Sequence, residues 1–315
     1  MRCWIFFHAD PYSDVPGAYA VRQFMENAAR MEIDLAVLQP QKFDLVVDQD
    51  SNWSALYEGK SLDKPDCIIS RTGSETSYFM LAVLRHMEHQ GVRIVNAPAG
   101  MEAAADKMLT QQILAAKNLP VPKTILAKFP VDLDFVEREI GFPVVVKTLR
   151  GNRGSGVVLC ETREKFNDLT SLIDQAASGA NFIFQQYISA SHGRDVRLLV
   201  AFGEILAAVE RRSEGGLFKS NAEMTLTPFD APKEMQKLAL DTAAALQLDI
   251  AGIDLLFDEN GGYRILEANS APAFKEIEET CNINIPEAIF RAVEKQNPHS
   301  LNSFLSNYGF LYRGL

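Results

Sequence analysis

Residues 249 to 274, DIAGIDLLFDENGGYRILEANSAPAF, hold an acidic set with the character of a metal site. Two apolar runs, Ile250 to Phe257 and Tyr263 to Leu266, flank Asp258 to Gly262, and so many turn residues between them predict a β-hairpin. Asp254 lies within the first strand, and Glu267 and Asn269 fall at the end of the second. Strand pairing can therefore bring two carboxylates and a carboxamide to one place. A hard-oxygen set of net charge about −2 suits Mg2+ held jointly with phosphate oxygens. A solvent-facing acidic hairpin is the alternative. Against it, Asp254 interrupts the apolar run Ile253 to Phe257, and a carboxylate beside a core is costly unless paired or metal-bound.

A second set is cationic and glycine-rich. Val144 to Lys147 reads as a strand leading into Arg150-Gly-Asn-Arg-Gly-Ser-Gly156, after which a new strand begins. Gly151, Gly154 and Gly156 let the backbone approach an anion closely, and their N–H groups can cradle phosphate. This is not a P-loop, because GK[ST] is missing and both flanks are strands. Such a hairpin can fold over a triphosphate as a flexible lid, with Lys147 supplying point charge at its root. An ordinary surface hairpin is the bland reading, and Arg150 and Arg153 on an acidic protein tilt it toward an anionic ligand. Phe182 to Ile188 reads as a strand running into a linker between lobes, whose backbone could present donors and acceptors to an adenine edge. Asp195 and Arg197 alternate within the next strand and so share a face, either as a surface salt-bridge ladder or as site residues. Arg211, Lys219 and Asn221 add another cationic group on a strand and the loop after it. The five histidines show no ligand spacing, and His86 and His89 read as residues of a solvated helix face.

Bulk properties narrow the class. A chain of 315 residues is long enough for two or three lobes with cores of their own. A formal charge of −10 with no compensating basic tract argues against nucleic-acid binding. Cys3, Cys67, Cys160 and Cys281 are scattered without metal-ligand spacing, so neither zinc nor a disulfide framework is expected. With no leader pattern and no apolar run near the ~20 residues that span a bilayer, no membrane partner is expected and the cytoplasm is the default.

The elements that must position these residues alternate between strand and helix at the start: strands at 2–8, 33–38, 65–70 and 93–95, helices at 15–31 and 76–90. That order implies a parallel sheet with βαβ crossovers, and without GxGxxG after the first strand a dinucleotide site there is not expected. A helix over 100–119 follows. The predicted fold is α/β and α+β: a parallel-sheet domain over 1–98, a central lobe with the glycine-rich lid over 99–181, a C-terminal lobe with the metal hairpin over 182–296, and a tail over 297–315. The tail reads as surface or as an interface, which would permit a homo-oligomer.

The order of lysine, glycine lid, hinge strand, arginine strand and acidic hairpin resembles the ATP-grasp superfamily, and in detail its RimK-type branch, which includes the ribosomal protein S6 glutamate ligases. The resemblance spans about residues 65 to 295. It rests on Ser70-Arg-Thr-Gly73 with Val83-Leu-Arg85, Ala105-Asp-Lys107 with Leu119-Pro-Val-Pro-Lys-Thr124, and Pro143 to Lys147. It continues through Gly151 to Val158, Gln185-Gln-Tyr-Ile188, Asp195-Val-Arg197, Lys219-Ser-Asn221, Asp254-Leu-Leu256 and Glu267-Ala-Asn-Ser270. The resemblance implies an N-terminal pre-ATP-grasp lobe followed by two lobes clamping ATP, and an ADP-producing carboxylate–amine ligase that works through an acyl phosphate. It implies that Lys107 and Lys147 hold phosphates beneath a lid of Gly151, Arg153, Gly154, Ser155 and Gly156. Gln185, Gln186, Tyr187 and Ile188 would belong to the nucleotide site, with the backbone of Gln186 to Ile188 reading adenine, and Asp195 would lie near the ribose. Asp254, Glu267 and Asn269 would bind two Mg2+ or Mn2+ ions. Arg197, Arg211 and Lys219 would act in catalysis, with Lys219, Ser220 and Asn221 also at the nucleotide.

The chain departs from the pattern in three places. Gln186 replaces a glutamate, Lys219 replaces an arginine, and the basic, glycine-containing segment after Asn221 is absent, reading Ala222-Glu-Met-Thr-Leu226, while Ala273 replaces a glycine after Pro272. The metal set is complete, so a ligase is expected, with an ATP-grasp kinase and a non-catalytic nucleotide-binding protein as rivals. Glu223, Met224 and Leu226 point to an amino acid joined to a small amine or peptide, the glutamate ligation of an acidic tail being the alternative; Arg71 and Arg211 are candidates for the substrate carboxylate.

Overall fold

Arg2–Phe6 forms the first strand, β1, and four of its five residues are buried. The computed structural model describes residues 1–49, 53–73, 76–149, 156–176, 181–213 and 224–296. Two units emerge, one of residues 1–71, 82–95 and 284 onward, the other of residues 72–81 and 96–283.

In chain order the first region comprises α1 (Ala18–Arg30), β2 (Asp34–Leu38), β3 (Phe43–Val46), β4 (Ser54–Tyr57), β5 (Lys60–Ser61), β6 (Cys67–Ser70), α2 (Tyr78–His89) and β7 (Arg93–Val95). Strands β2-β1-β6-β7 pair in parallel, as the alternation of strand and helix implies. Helix α1 buries Val21, Phe24 and Ala28 at helical spacing and begins after Gly17 rather than at Val15. The short sheet β3-β4-β5 was not expected. His86 is a correction: it is 3% exposed, lying beneath Trp53, which also stacks on His89 at 3.8 Å. The indole covers what helical periodicity alone assigns to solvent.

The second region holds α3 (Pro98–Ala105), α4 (Lys107–Ala116), β8 (Thr124–Leu126), α5 (Leu133–Glu139), β9 (Val144–Thr148), β10 (Val157–Cys160), α6 (Arg163–Ala176) and β11 (Phe182–Gln186). It continues with β12 (Arg194–Ala201), β13 (Glu204–Ser213), β14 (Met224–Pro228), α7 (Lys233–Ala245), β15 (Ile250–Phe257), β16 (Tyr263–Asn269) and α8 (Lys275–Cys281). The single helix expected over 100–119 is two, because Asp106 leaves helical geometry and its carboxylate caps α4 through the amides of Met108 and Leu109, both at 3.0 Å. Helix α9 (Ile285–Lys295) returns to the first unit, where Phe290 meets Phe24 edge-on at 5.3 Å. No helix among the described residues is long and apolar enough to cross a membrane.

Two antiparallel sheets carry the second unit, β10-β9-β11-β8 and β14-β13-β12-β15-β16. Each is apolar on one face. Val144, Val146, Phe184 and Ile125 pack with Phe166 and Val136 behind the first sheet. Val196, Leu198, Val200, Ile253 and Leu255 pack with Met235, Ala239 and Ala243 of α7 behind the second. Side chains alternate across a strand, so the intervening residues come to the opposite faces.

Candidate active site

Register assembles the acidic and cationic residues. Arg211 stands opposite Asp195, Arg197 opposite Asp254, Asp254 opposite Glu267 and Gly252 opposite Asn269. Opposed residues share a face, so these side chains occupy one surface of the β12–β16 region. A β-bulge between the Asp254 and Leu255 pairings leaves Leu266 as the extra residue. That offset lets Ile265 join the core at 0% exposure, while Glu267, two residues on, faces the site.

An ion-pair network ties the set together. Arg197 meets both oxygens of Asp254, Nε to Oδ1 at 2.6 Å and Nη2 to Oδ2 at 2.8 Å. Arg211 donates from Nη2 to Asp254 Oδ2 at 2.5 Å and from Nε to Asp195 Oδ1 at 2.6 Å. Asp254 and Asp195 are 1% and 0% exposed, whereas Glu267 is 43% exposed and lies 3.9 Å from Arg197. Asn269 Oδ1 accepts from Ala271 N at 3.0 Å. Gly252 allows this arrangement: a Cβ there would lie 3.0 Å from Pro272 Cβ and 3.6 Å from Arg197 Nε. A glycine inside a strand signals such close approach, and it was the available clue to this residue.

The sheet of β8–β11 contributes a second cluster. Lys147 donates from Nζ to Gln185 Oε1 at 2.6 Å, and Gln185 Nε2 donates to Thr124 Oγ1 at 3.0 Å. Lys107 opens α4, where burial pushes its ammonium pKa down and Glu267 and Asp106 oppose that shift. Gly156 has φ 74°, and a Cβ there would lie 2.7 Å from Thr148 Oγ1, so a side chain has no place at the start of the segment leading into β10. Tyr187, whose phenol pKa burial raises, pairs its hydroxyl with His192 Nδ1, and Ile188 is buried.

Two expectations change. The amide of Gln186 donates to Lys123 O at 2.8 Å, and its side-chain Oε1 accepts from Lys123 N at 3.3 Å, so this N–H is not presented to a ligand. Asp195 is enclosed and its Oδ1 seats Arg211, a role beside the one expected near the ribose. Gly151, Arg153, Gly154, Ser155, Lys219, Ser220 and Asn221 lie outside the described residues. Arg71 is buried in the first unit, and desolvation lowers its pKa to about 10, which leaves it charged at neutral pH.

Residues 104–293 match the RimK-like ATP-grasp domain, and residues 12–101 match the RimK PreATP-grasp domain. The chain belongs to the RimK-like ATP-grasp family. Among its relatives is the probable alpha-L-glutamate ligase 2 of Shewanella frigidimarina, 32% identical over 92% of this chain and 97% of that protein. The ribosomal protein bS6--L-glutamate ligase of Escherichia fergusonii is likewise 32% identical, over 88% and 92%. Solved structures show the same fold at lower identity. The ATP-grasp ligase PsnB complexed with a minimal precursor has a TM-score of 0.72 at 18% identity, covering 93% of this chain and 98% of that one. The D-alanine--D-alanine ligase of Bacillus anthracis has a TM-score of 0.66 at 12% identity, covering 97% and 99%.

This RimK-like ATP-grasp protein is an ATP-dependent carboxylate–amine ligase. Asp254, Glu267 and Asn269 are hard oxygen donors sharing a face; Glu267 is the accessible carboxylate, whereas both oxygens of Asp254 are held by Arg197 and Arg211 and Asn269 Oδ1 accepts from Ala271 N.

Proposed function

We propose that this ligase joins the carboxylate of an amino acid to a small amine or peptide. The observation that carries the reading is the Arg197–Asp254–Arg211 clamp beside Glu267, which puts two cations and two carboxylates on one sheet face. Asp254, Glu267 and Asn269 would hold two Mg2+ or Mn2+ ions, and the bound metal supplies neutralisation of phosphate charge. Arg197, Arg211 and Lys219 stabilise charge on the transferring phosphoryl group, and Lys107 and Lys147 hold the phosphates beneath the lid at 150–156. Adenine is read by the carbonyl of Gln186 and the amide of Ile188. The substrate carboxylate oxygen attacks the γ-phosphorus, the bond from that phosphorus to the β–γ bridging oxygen breaks, and ADP leaves. The amine then attacks the acyl carbon, phosphate departs with the C–O electron pair, and the nitrogen loses a proton to solvent. Residues 99–181 and 182–296 are read as the two lobes about the nucleotide, with two adjustments: β11 pairs into the sheet of β8–β10, and Ala103 and Leu114 of α3 and α4 pack into the core behind the β12–β16 sheet.

The acceptor reading rests on β14. Leu226 pairs in register with Arg211, and Met224 with Ser213, so both apolar side chains share the face that carries the arginine. An acidic tail would call for cations there, whereas an uncharged or partly apolar acceptor suits Met224 and Leu226. The relatives named as bS6--L-glutamate ligases favour the second reading, glutamate addition to an acidic tail. Phosphate release across a matrix of amino acids against amines and peptides separates the two. Turnover with small amines is expected; repeated glutamate addition to a Glu-Glu-terminated peptide, with small amines inert, overturns the first reading. ADP formed without an amine, together with a stable phosphoester, would instead identify a kinase.

A further inference from the structure

The buried polar residues on the site face of the β8–β11 sheet form a chain with a defined direction. Gln185 pairs with Thr124 on one side and with Val145 on the other, while Ile183 stands opposite Lys147. Gln185 and Lys147 are therefore diagonal neighbours on the face opposite the Val144–Phe184 core. An ammonium has no acceptor, so the atom 2.6 Å from Lys147 Nζ must be the amide oxygen of Gln185. The amide nitrogen then faces Thr124 Oγ1 at 3.0 Å and donates to it. Thr124 Oγ1 in turn donates to the carbonyl of Pro122 at 3.0 Å, an acceptor on the linker's main chain. Each link has one permitted direction. The neighbouring residues Val145 and Ile183 are 5% and 1% exposed, an environment in which aliphatic side chains would pack without any polar requirement.

We propose that Gln185 is the positioning residue for Lys147, fixing its ammonium through Thr124 against the main chain at Pro122. Gln186, one residue on, holds the same linker through Lys123. Two consecutive glutamines thus lock the segment that ends in Thr124 to the strand that leads to the hinge. The inference rests on the reading that Lys147 meets phosphate.

Calorimetric binding of a non-hydrolysable ATP analogue and of adenosine tests it, with Gln185→Met, Lys147→Met, the double variant and Thr124→Val. Gln185→Met is close in shape but cannot accept from the ammonium. It is expected to weaken the analogue about tenfold, the scale of one hydrogen bond to a charged group, and to leave adenosine unchanged. Thr124→Val moves the same way by less, and the double variant is no weaker than Lys147→Met. A merely structural role would lower both ligands together, and that outcome overturns the proposal. So do additive losses in the double variant, or a silent Gln185→Met beside a weakened Lys147→Met. Should Gln185→Met fail to fold, a silent Thr124→Val overturns it equally. Full analogue affinity in Lys147→Met removes the phosphate reading itself and the inference with it.

Discussion

Arg197 and Asp254 stand directly opposite one another on β12 and β15, and the guanidinium fork meets both carboxylate oxygens, at 2.6 and 2.8 Å. Arg211 adds a third hydrogen bond to the same carboxylate. Asp254 is almost wholly buried, yet its opposed partner Glu267 is 43% exposed and meets Arg197 at 3.9 Å. Removing one member of a buried pair leaves uncompensated charge, whereas a loosely paired surface carboxylate contributes little to stability. The two carboxylates of one hairpin are thus unequal in what they do for the fold.

Asp254→Asn should lower unfolding stability by about 3 kcal/mol, as expected for breaking a buried ion pair, and abolish turnover as well. Glu267→Gln should unfold at the wild-type urea midpoint while ATP consumption falls on the order of a hundredfold, the scale of removing one group that stabilises transition-state charge. Urea titration and ADP release measured on both variants separate the roles. Equal destabilisation by the two would mean that their difference in burial carries no energetic weight.

Asp195 and Arg211 make a second testable pair. Asn in place of Asp195 keeps an acceptor for Arg211 Nε but removes the buried charge that seats it. The expected result is a drop in kcat of about tenfold with KM for ATP little changed, since a charge-assisted hydrogen bond becomes a neutral one. A raised KM for ATP with kcat intact would return Asp195 to the ribose.

Much of this site was legible because its signals are local. Turn residues at 258–262 announce the hairpin, and an aspartate within an apolar run demands a partner. The alternation of Asp195 and Arg197 assigns them a common face without any tertiary knowledge. What escaped depends on register or on distant contacts. The bulge opposite Asp254 decides whether Ile265 or Glu267 faces the site, and nothing within the apolar run from Tyr263 marks it. Gln185 finds Lys147 and Thr124 only when three strands are aligned. The break at Asp106 was available as a capping residue, but the apolar spacing on either side masked it. β8 and β14 are short strands with prolines beside or within them, where strand patterning is weakest.

The Trp53–His86 contact predicts a pH dependence in the first unit. Burial, with His89 adding to it, pushes the His86 imidazole pKa below its ordinary value. The unfolded chain takes up a proton near pH ~6.5 while the folded chain resists, so His86 contributes stability above that pH that is lost as the pH falls below it. Between about pH 7.5 and about pH 5.5 the wild-type unfolding temperature should fall further than that of His86→Gln. Parallel pH profiles for the two proteins would show that His86 is not the group responsible.

Gly252 supplies the closest test of the arginine clamp. A Cβ at this position would lie 3.0 Å from Pro272 Cβ and in ordinary contact, 3.6 Å, with both Arg197 Cδ and Arg197 Nε, so alanine must shift against the proline, and a shift of the strand away from it closes on Arg197. Inserting one methyl into such a contact costs about 1 kcal/mol of stability. The consequence for activity is larger, because a shift of the Arg197 fork relative to Asp254 disturbs the cation placed for the phosphoryl group. Gly252→Ala is therefore expected to retain its fold by circular dichroism and lose about tenfold in kcat, the scale of one misplaced charge-assisted hydrogen bond. Gly262→Ala is the control, since nothing lies within 4 Å of a Cβ there. If Gly252→Ala turns over as fast as Gly262→Ala, the placement of Arg197 against Asp254 does not limit the reaction.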